Sequence, residues 1–293
     1  MDRKIIVLLP LIYLTVVSIF LIWHGTWFSP DLFFVAALLI TLFLGKLKQF
    51  IREWSIPIIL LLSYDYLRGL VPNLTQVAYI HPMIDFDRVL FGGLPTNSLQ
   101  ALFFSDRIVH WYDYLGTVLY MSHFITPLLL GFAFWLKDRK TFNQFFLALL
   151  LLSYLAFFTY IFFPAMPPWM ASQKGIIPEV YKIMDQVFLN LPNPIDLPTV
   201  YRLVGANLVA AVPSLHAAYP LLALFFLVRK YKAKGLLLLP YVLGIWFSLI
   251  YFGEHYVFDI VVGVLYVVVI FYLVIKKETI RKFLLSKTRF FLH

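Results

Sequence analysis

The chain has no cysteine among its 293 residues, so disulfides, thiolate metal sites and thiol nucleophiles are excluded, while the redox compartment is left open. Charge is scarce as well. Only 13% of residues are charged, and Asp and Glu number 15 against 24 Lys and Arg. The sequence contains no His-Glu-x-x-His, no glycine-rich phosphate loop and no Gly-x-Ser-x-Gly. Zincin-type, nucleotide-loop and serine-elbow chemistry therefore lack their motifs. No small-x-small cleavage site follows the first apolar stretch, which reads as a retained helix rather than a signal peptide. Internal repeats and low-complexity tracts are absent too.

What fills the chain is apolar: 62% of residues are hydrophobic and 19% aromatic. That mix belongs in a bilayer. A membrane-crossing helix needs about 20 mostly apolar residues, and about eight stretches qualify. They run from Lys4 to Trp23, Leu32 to Gly45, Trp54 to Leu67, Trp111 to Leu136, Phe142 to Phe163, Leu215 to Val228, Leu236 to Phe252 and Tyr256 to Ile275. The second, third and sixth are short, and the second suits a re-entrant or interfacial piece. The expected fold is an all-α, polytopic membrane bundle with extracytoplasmic interfacial helices and a proline-rich cap. Residues 1–53 form N-terminal transmembrane helices, 54–275 a catalytic membrane domain and 276–293 a basic cytoplasmic tail.

The net charge of +9 is explained by sidedness. With eight crossings, Arg68, Arg88, Arg107, Lys174, Lys182 and Arg202 fall on one side, and every other Lys and Arg falls on the opposite side. The positive-inside rule then puts both termini in the cytoplasm. The basic tail from Lys276 suits anionic headgroups better than nucleic acid. Two long outer segments interrupt the spans. The stretch from Arg68 to His110 mixes turns with amphipathic pieces and predicts short interfacial helices. The stretch from Pro164 to Ser214 carries Pro164, Pro167, Pro168, Pro178, Pro192, Pro194 and Pro198, so it cannot be one continuous helix.

Pro213-Ser214-Leu215-His216 and Gly253-Glu254-His255-Tyr256-Val257-Phe258-Asp259 place two histidines at the outer starts of the sixth and eighth spans. An aspartate four residues after a histidine lies one helical turn along, on the same face. Asp259 can take the Nδ1 proton of His255 and leave Nε2 free as a nucleophile, with His216 available to protonate a leaving oxygen. Helix N-termini also offer unpaired N–H groups to a phosphate, so Ser214 and the donors after Pro213 are binding candidates. Each histidine taken alone is an ordinary interfacial residue bonded to a carbonyl. Asp259 tips that balance, because a lone carboxylate inside a span costs about 2.5 to 3.5 kcal/mol and needs a partner.

Other polar residues keep two readings. His123, near the middle of the fourth span, is a functional group by its depth or a packing histidine bonded to a neighbouring helix. Asp65 and Arg68 share a helix face and either pair with each other or leave the guanidinium to grip a phosphate. Asp85 and Asp87 are the one close outer acidic pair, suited to a metal or to a helix cap.

At these motifs the chain resembles the type 2 phosphatidic acid phosphatase superfamily. Leu215 before the first histidine and Phe163-Pro164-Ala165-Met166-Pro167-Pro168-Trp169 look like its inositol phosphorylceramide synthase-like branch, bacterial members included. Asp65-Tyr66-Leu67-Arg68-Gly69, the Asp87 to Gly93 stretch and Tyr120-Met121-Ser122-His123-Phe124 are similar to that branch as well. The resemblance implies a helical bundle in a bacterial plasma membrane in which His255 attacks a lipid-linked phosphate, Asp259 orients it and His216 protonates the departing oxygen. It implies no metal and no cofactor. Membrane lipids are the expected substrates, with no nucleic acid partner.

Two departures stand out. The superfamily's first motif, a Lys and an Arg-Pro, is missing, and the arginine expected six positions before His255 is Leu249, although Ser248 is kept. Charge neutralisation of a phosphate then falls to another of the six outer cations, of which Arg68 is favoured by the resemblance, and Arg202 and Lys174 lie in the cap near the histidines. The resemblance favours transfer of a phospho-headgroup such as inositol phosphate onto a lipid hydroxyl, with simple dephosphorylation as the alternative. A transporter or scramblase using His123 and Asp65 is the competing class, and it lacks the expected repeat.

Overall fold

A computed structural model of the protein describes residues 30–71, 78–191 and 207–290. The first apolar stretch, Lys4 to Trp23, and Arg202 lie outside the described residues. The described chain is helical throughout: α1 Pro30–Phe43, α2 Leu47–Leu70, α3 His81–Phe91, α4 Pro95–Phe103, α5 Trp111–Ser122 and α6 Thr126–Lys137. There follow α7 Arg139–Phe162, α8 Pro168–Gln173, α9 Ile183–Leu189, α10 Leu215–Tyr231, α11 Leu239–Tyr251 and α12 Val257–Phe290. A 3-10 turn, Lys232–Leu238, joins α10 to α11. Strand-like pairing among the described residues is confined to isolated parallel bridges from Ala165 to Tyr79 and Ala210, which tie together the segments before α3, after α7 and before α10.

Among the described residues, three runs can cross a membrane by length and composition: Arg139–Phe162, Leu215–Tyr251 and Val257–Lys276. A fourth is the α5–α6 pair, bent by 50°. The expected count of about eight crossings is not established by helix length alone among the described residues, and the first of the eight stretches lies outside them. One reason is that several helices are short: α1 has 14 residues, α10 has 17 and α11 has 13. At about 1.5 Å per residue, even the longest of these three falls below a hydrocarbon core of about 30 Å. Moreover, the 37-residue run Leu215–Tyr251 is not straight. Trp246 Nε1 donates to the Ala217 carbonyl at 3.2 Å, so α11 returns antiparallel along α10. Gly235 permits the reversal, since a Cβ there would lie 2.4 Å from the Val228 nitrogen.

The fourth expected span is also broken, and His123 sits in the break rather than within a helix. Pro127 occupies the first turn of α6, where its missing N–H is tolerated but continuation from α5 is not. The His123 ring Nδ1 bonds the Tyr120 carbonyl, taking up an acceptor released by the broken helix.

Two faces distinguish the long helices. On α7, Ala148, Leu149, Leu152, Ala156 and Tyr160 are buried, whereas Leu147, Leu151, Leu155, Phe158 and Phe162 are exposed. A helix that is apolar on both its packed and its open face is suited to lipid. The main core gathers side chains of α1, α2, α6, α7, α10 and α12, with Trp54 wedged among Phe50, Phe142 and Phe146. A second cluster joins α5, α9, α11 and the start of α10, and a third packs α3 under the cap and Tyr256. The described part of the proline-rich segment, up to residue 191, is broken into the short helices α8 and α9, while Pro192, Pro194 and Pro198 lie outside the described residues. Buried Gln100 staples the described part down: its amide donates to the Tyr181 and Tyr251 carbonyls and accepts from Tyr181 N, each at 2.8 Å.

Candidate active site

His255 does not begin a helix, as the spacing suggested, but lies in the short link between α11 and α12. Gly253 adopts φ +73°, a conformation L residues avoid, and a Cβ there would meet Val180 Cγ1 at 2.6 Å. Past that turn, Glu254 N and His255 N both donate to the Leu249 carbonyl at 3.1 Å, ending α11. Tyr256 then caps α12, and Asp259, in the first turn, reaches back. Its Oδ2 accepts from Tyr256 N at 3.0 Å and bonds His255 Nδ1 at 3.0 Å. The contact expected from four-residue spacing is therefore made by an N-terminal cap rather than along one helix face. Asp259 and His255 are both buried.

Asp87 completes this helix start from α3. Its carboxylate accepts from Val257 N and Phe258 N, each at 3.1 Å. Burial pushes its carboxyl up to about 6, against the pull of those two N–H groups, and the Asp259 charge adds to the rise. Asp85, two residues away, is exposed, so the two carboxylates do not face one another. Asp87 is thus a cap, the second of its two readings.

His216 arrives on α10. Ser214 caps that helix through Oγ, which accepts from Ala217 N at 3.3 Å. Ser214 N donates to the Asp259 carbonyl at 3.1 Å, and Tyr160 OH donates to the Pro213 carbonyl at 2.9 Å. The two helix starts approach because residue 263 is glycine: a Cβ would stand 2.9 Å from the Ser214 carbonyl oxygen. His216 Nδ1 consequently lies 2.9 Å from His255 Nε2. The direction of the chain follows from its carboxylate end. Ionised Asp259 only accepts, so His255 Nδ1 carries hydrogen, Nε2 holds a lone pair and His216 Nδ1 donates to it.

Around this pair stand Tyr120, His123 and Arg68. Tyr120 OH is 3.4 Å from His216 Nε2, and the His123 ring meets that of His216 edge-on at 4.3 Å. Arg68 lies close enough for its charge to act on both His123 and His216. It is paired with Asp65 at 2.8 Å, and its buried Nε makes no hydrogen bond among the described residues. The pairing with Asp65 is thus the reading of Arg68 that the described residues display.

The family model for the PAP2 superfamily matches residues 82–273. The chain belongs to the PAP2 superfamily. It is also 28% identical, over 246 residues covering 80% of each chain, to the phosphoinositol dihydroceramide synthase of Bacteroides thetaiotaomicron. That relative supports the inositol phosphorylceramide synthase-like branch. No solved structure matches the chain. Together these findings make the protein a membrane enzyme of phosphoryl transfer, and a lipid-modifying relative implies lipid substrates.

Within that family, Leu249 replaces an arginine by joining the core: it is fully buried against α5 and α9 residues. Ser248 bonds the Gly244 carbonyl in its own helix and lies beside Gly116, away from the histidines. Lys174 is exposed at the end of α8 and makes no contact with the histidines among the described residues. Lys182 approaches the histidine link instead, 3.9 Å from Glu254, over the Trp169 ring and 3.2 Å from Asp185. A cavity of about 200 Å³ lined by Asp138, Arg229 and Lys230 lies at the other end of α10, about 20 Å from His216 by helical rise. It is too far away to serve these histidines.

Asp87 and Tyr120 lay in stretches that the sequence brought forward, but their contacts with the α12 start and with His216 were not foreseen. An Asp near a turn signals a cap, but which helix it caps is a tertiary matter. Tyr120 carried a weaker signal, its place three residues before His123.

Proposed function

We propose that the protein moves a phospho-headgroup from a phospholipid to a lipid hydroxyl through a phosphohistidine at the extracytoplasmic face of a bundle of about eight spans. The observation that carries this reading is the unbroken chain His216 Nδ1, His255 Nε2 and Asp259 Oδ2, with links of 2.9 and 3.0 Å. Its middle member presents a lone pair at Nε2, which suits a nucleophile.

In the first half-reaction, Nε2 of His255 attacks phosphorus, the bond to the diacylglycerol oxygen breaks, and His216 passes a proton to that oxygen. In the second, the acceptor hydroxyl gives its proton to His216 and attacks phosphorus, and His255 leaves. Asp259 stays ionised and holds the imidazolium that forms on His255. Arg68 suits charge on the phosphoryl oxygens, with Ser214, His123, Asp65, Lys174 and Arg202 as further binding candidates. The PAP2 relative's name points to inositol phosphate as cargo and a ceramide-type lipid as acceptor.

The test is incubation of purified protein with phosphatidylinositol labelled at phosphorus, with and without ceramide. Transfer of label to ceramide, with rapid-quench trapping of label on His255, is expected. Label released only as free phosphate or inositol phosphate would point to hydrolysis, and labelling of another residue would remove His255 as nucleophile.

A further inference from the structure

Tyr120 touches His216 at the ring nitrogen that His255 does not occupy. Its hydroxyl is 3.4 Å from Nε2, and the two rings lie 4.8 Å apart at 39°. The same residue's carbonyl bonds His123 Nδ1, and the His123 ring closes on His216 from another side. Both the backbone and the side chain of Tyr120 therefore hold imidazoles at the site. This is possible because α5 stops at Ser122: Tyr120 stands in its last turn, buried to 3% exposure, where bulk water does not compete for the hydroxyl.

We propose that Tyr120 is a positioning residue that occupies Nε2 of His216 and so commits Nδ1 to proton transfer in both half-reactions. The proposal rests on the phosphohistidine reading above. An imidazole has two nitrogens, and a neutral ring carries its proton on either. Protonated His216 donates Nε2–H to the Tyr120 oxygen and Nδ1–H toward the reacting group. When the Nδ1 proton passes to the departing alkoxide oxygen, the ring becomes neutral and keeps Nε2–H on Tyr120. The bare Nδ1 is then the acceptor that takes the proton of the incoming hydroxyl. A hydroxyl serves this purpose because its oxygen accepts Nε2–H in both states of the ring. The second half-reaction returns a proton to Nδ1, so His216 begins each turnover protonated, with Nε2–H on Tyr120 and Nδ1–H pointing at His255. Without the hydroxyl, the proton left on His216 can settle on Nδ1, which disables the base for the second step.

The test is Tyr120→Phe, which keeps the ring and its packing. Turnover of a phospholipid donor, whose leaving group is an alkoxide, should fall by about 10- to 100-fold, within the range general acid–base catalysis supplies. Turnover of an analogue with a 4-nitrophenoxide leaving group should fall less than about threefold in its first, burst phase, since that departure needs little proton assistance. KM should stay within about twofold. A purely structural role would depress both donors equally. Equal losses, or none with either donor, overturn the proposal. Should Tyr120→Phe fail to fold, 3-fluorotyrosine at position 120 adds one small ring atom and makes the hydroxyl a weaker acceptor for Nε2–H, and unchanged rates with both donors would overturn the proposal equally. His255→Ala separates the two ideas. If it retains turnover within tenfold on both donors, the phosphohistidine reading fails and carries this one with it. If it is inactive while Tyr120→Phe loses both donors equally, only the role of Tyr120 fails.

Discussion

Asp87 and Val257 are 170 positions apart in sequence, yet the carboxylate of one accepts the backbone N–H of the other at 3.1 Å. The start of α12, and with it His255 and Asp259, is therefore held from α3. Replacing Asp87 with alanine leaves the half-buried Val257 and Phe258 N–H groups without their acceptor. A lost cap of this kind costs about 0.5 to 2 kcal/mol. Turnover should fall at least tenfold with His255 itself intact, as measured by activity beside thermal unfolding in detergent. Wild-type activity in Asp87→Ala would show that the cap does not position the histidine.

The same carboxyl gives a pH dependence. Its ordinary value of 3.8 is raised to about 6 in the folded protein, chiefly by burial. Between these values the folded state holds a proton that the unfolded chain has released. The associated stability is complete below about pH 3.8 and is lost as pH rises through about 6. The difference corresponds to about 3 kcal/mol at most. Asp87→Asn cannot titrate and should flatten that part of the stability profile. Identical profiles for the two proteins between pH 4 and 6 would contradict the assignment.

Removing either histidine should silence the enzyme, but in different ways. His255→Ala is expected to be inactive on every phosphate ester, since no nucleophile remains. His216→Ala should recover part of its first-step rate with a good leaving group, because that departure needs less acid catalysis. The comparison is of burst-phase rates with alkyl and 4-nitrophenyl esters. Equal recovery in both variants would erase the division of roles.

Gly263 sets the distance between α10 and α12. A methyl group at this position would stand 2.9 Å from the Ser214 carbonyl oxygen, and backbone cannot yield cheaply. Gly263→Ala should cost about 1 to 3 kcal/mol and pull His216 from His255, lowering turnover more than tenfold. Gly93→Ala is the control, because nothing lies within 4 Å of its added carbon. Indistinguishable behaviour of the two variants would remove the close approach as a requirement.

Sidedness is open to chemical labelling. The chain has no cysteine, so introduced ones have no background. Gln173 in the cap and Lys232 after α10 are both exposed. An impermeant thiol reagent should label Gln173→Cys in intact cells, and Lys232→Cys only after permeabilisation. The opposite pattern would put the histidines on the cytoplasmic side.

The pairing of His255 with Asp259, which the proposed mechanism uses, was legible in the sequence because its signal is local. His255 and Asp259 are four residues apart, and an acid in a helix's first turn reaches back to the residues before that helix whatever lies around it. Apolar composition likewise announced a helical membrane protein, and Pro164, Pro167, Pro168 and Pro178 a segment that is not one continuous helix. Tertiary structure decided what depends on several elements at once. It brought His216 Nδ1 within 2.9 Å of Nε2, a distance that rests on Gly263, and it used Asp87 as a cap for a distant helix. It also packed Leu249 into the core and left Arg68 on Asp65 beside the histidines. Hydropathy records how apolar each stretch is, not which helices touch, so the α5–α6 break and the α10–α11 reversal became visible only when the helices packed against one another. Contacts between helices follow from matching surfaces across the whole bundle, and no single stretch of sequence contains both surfaces.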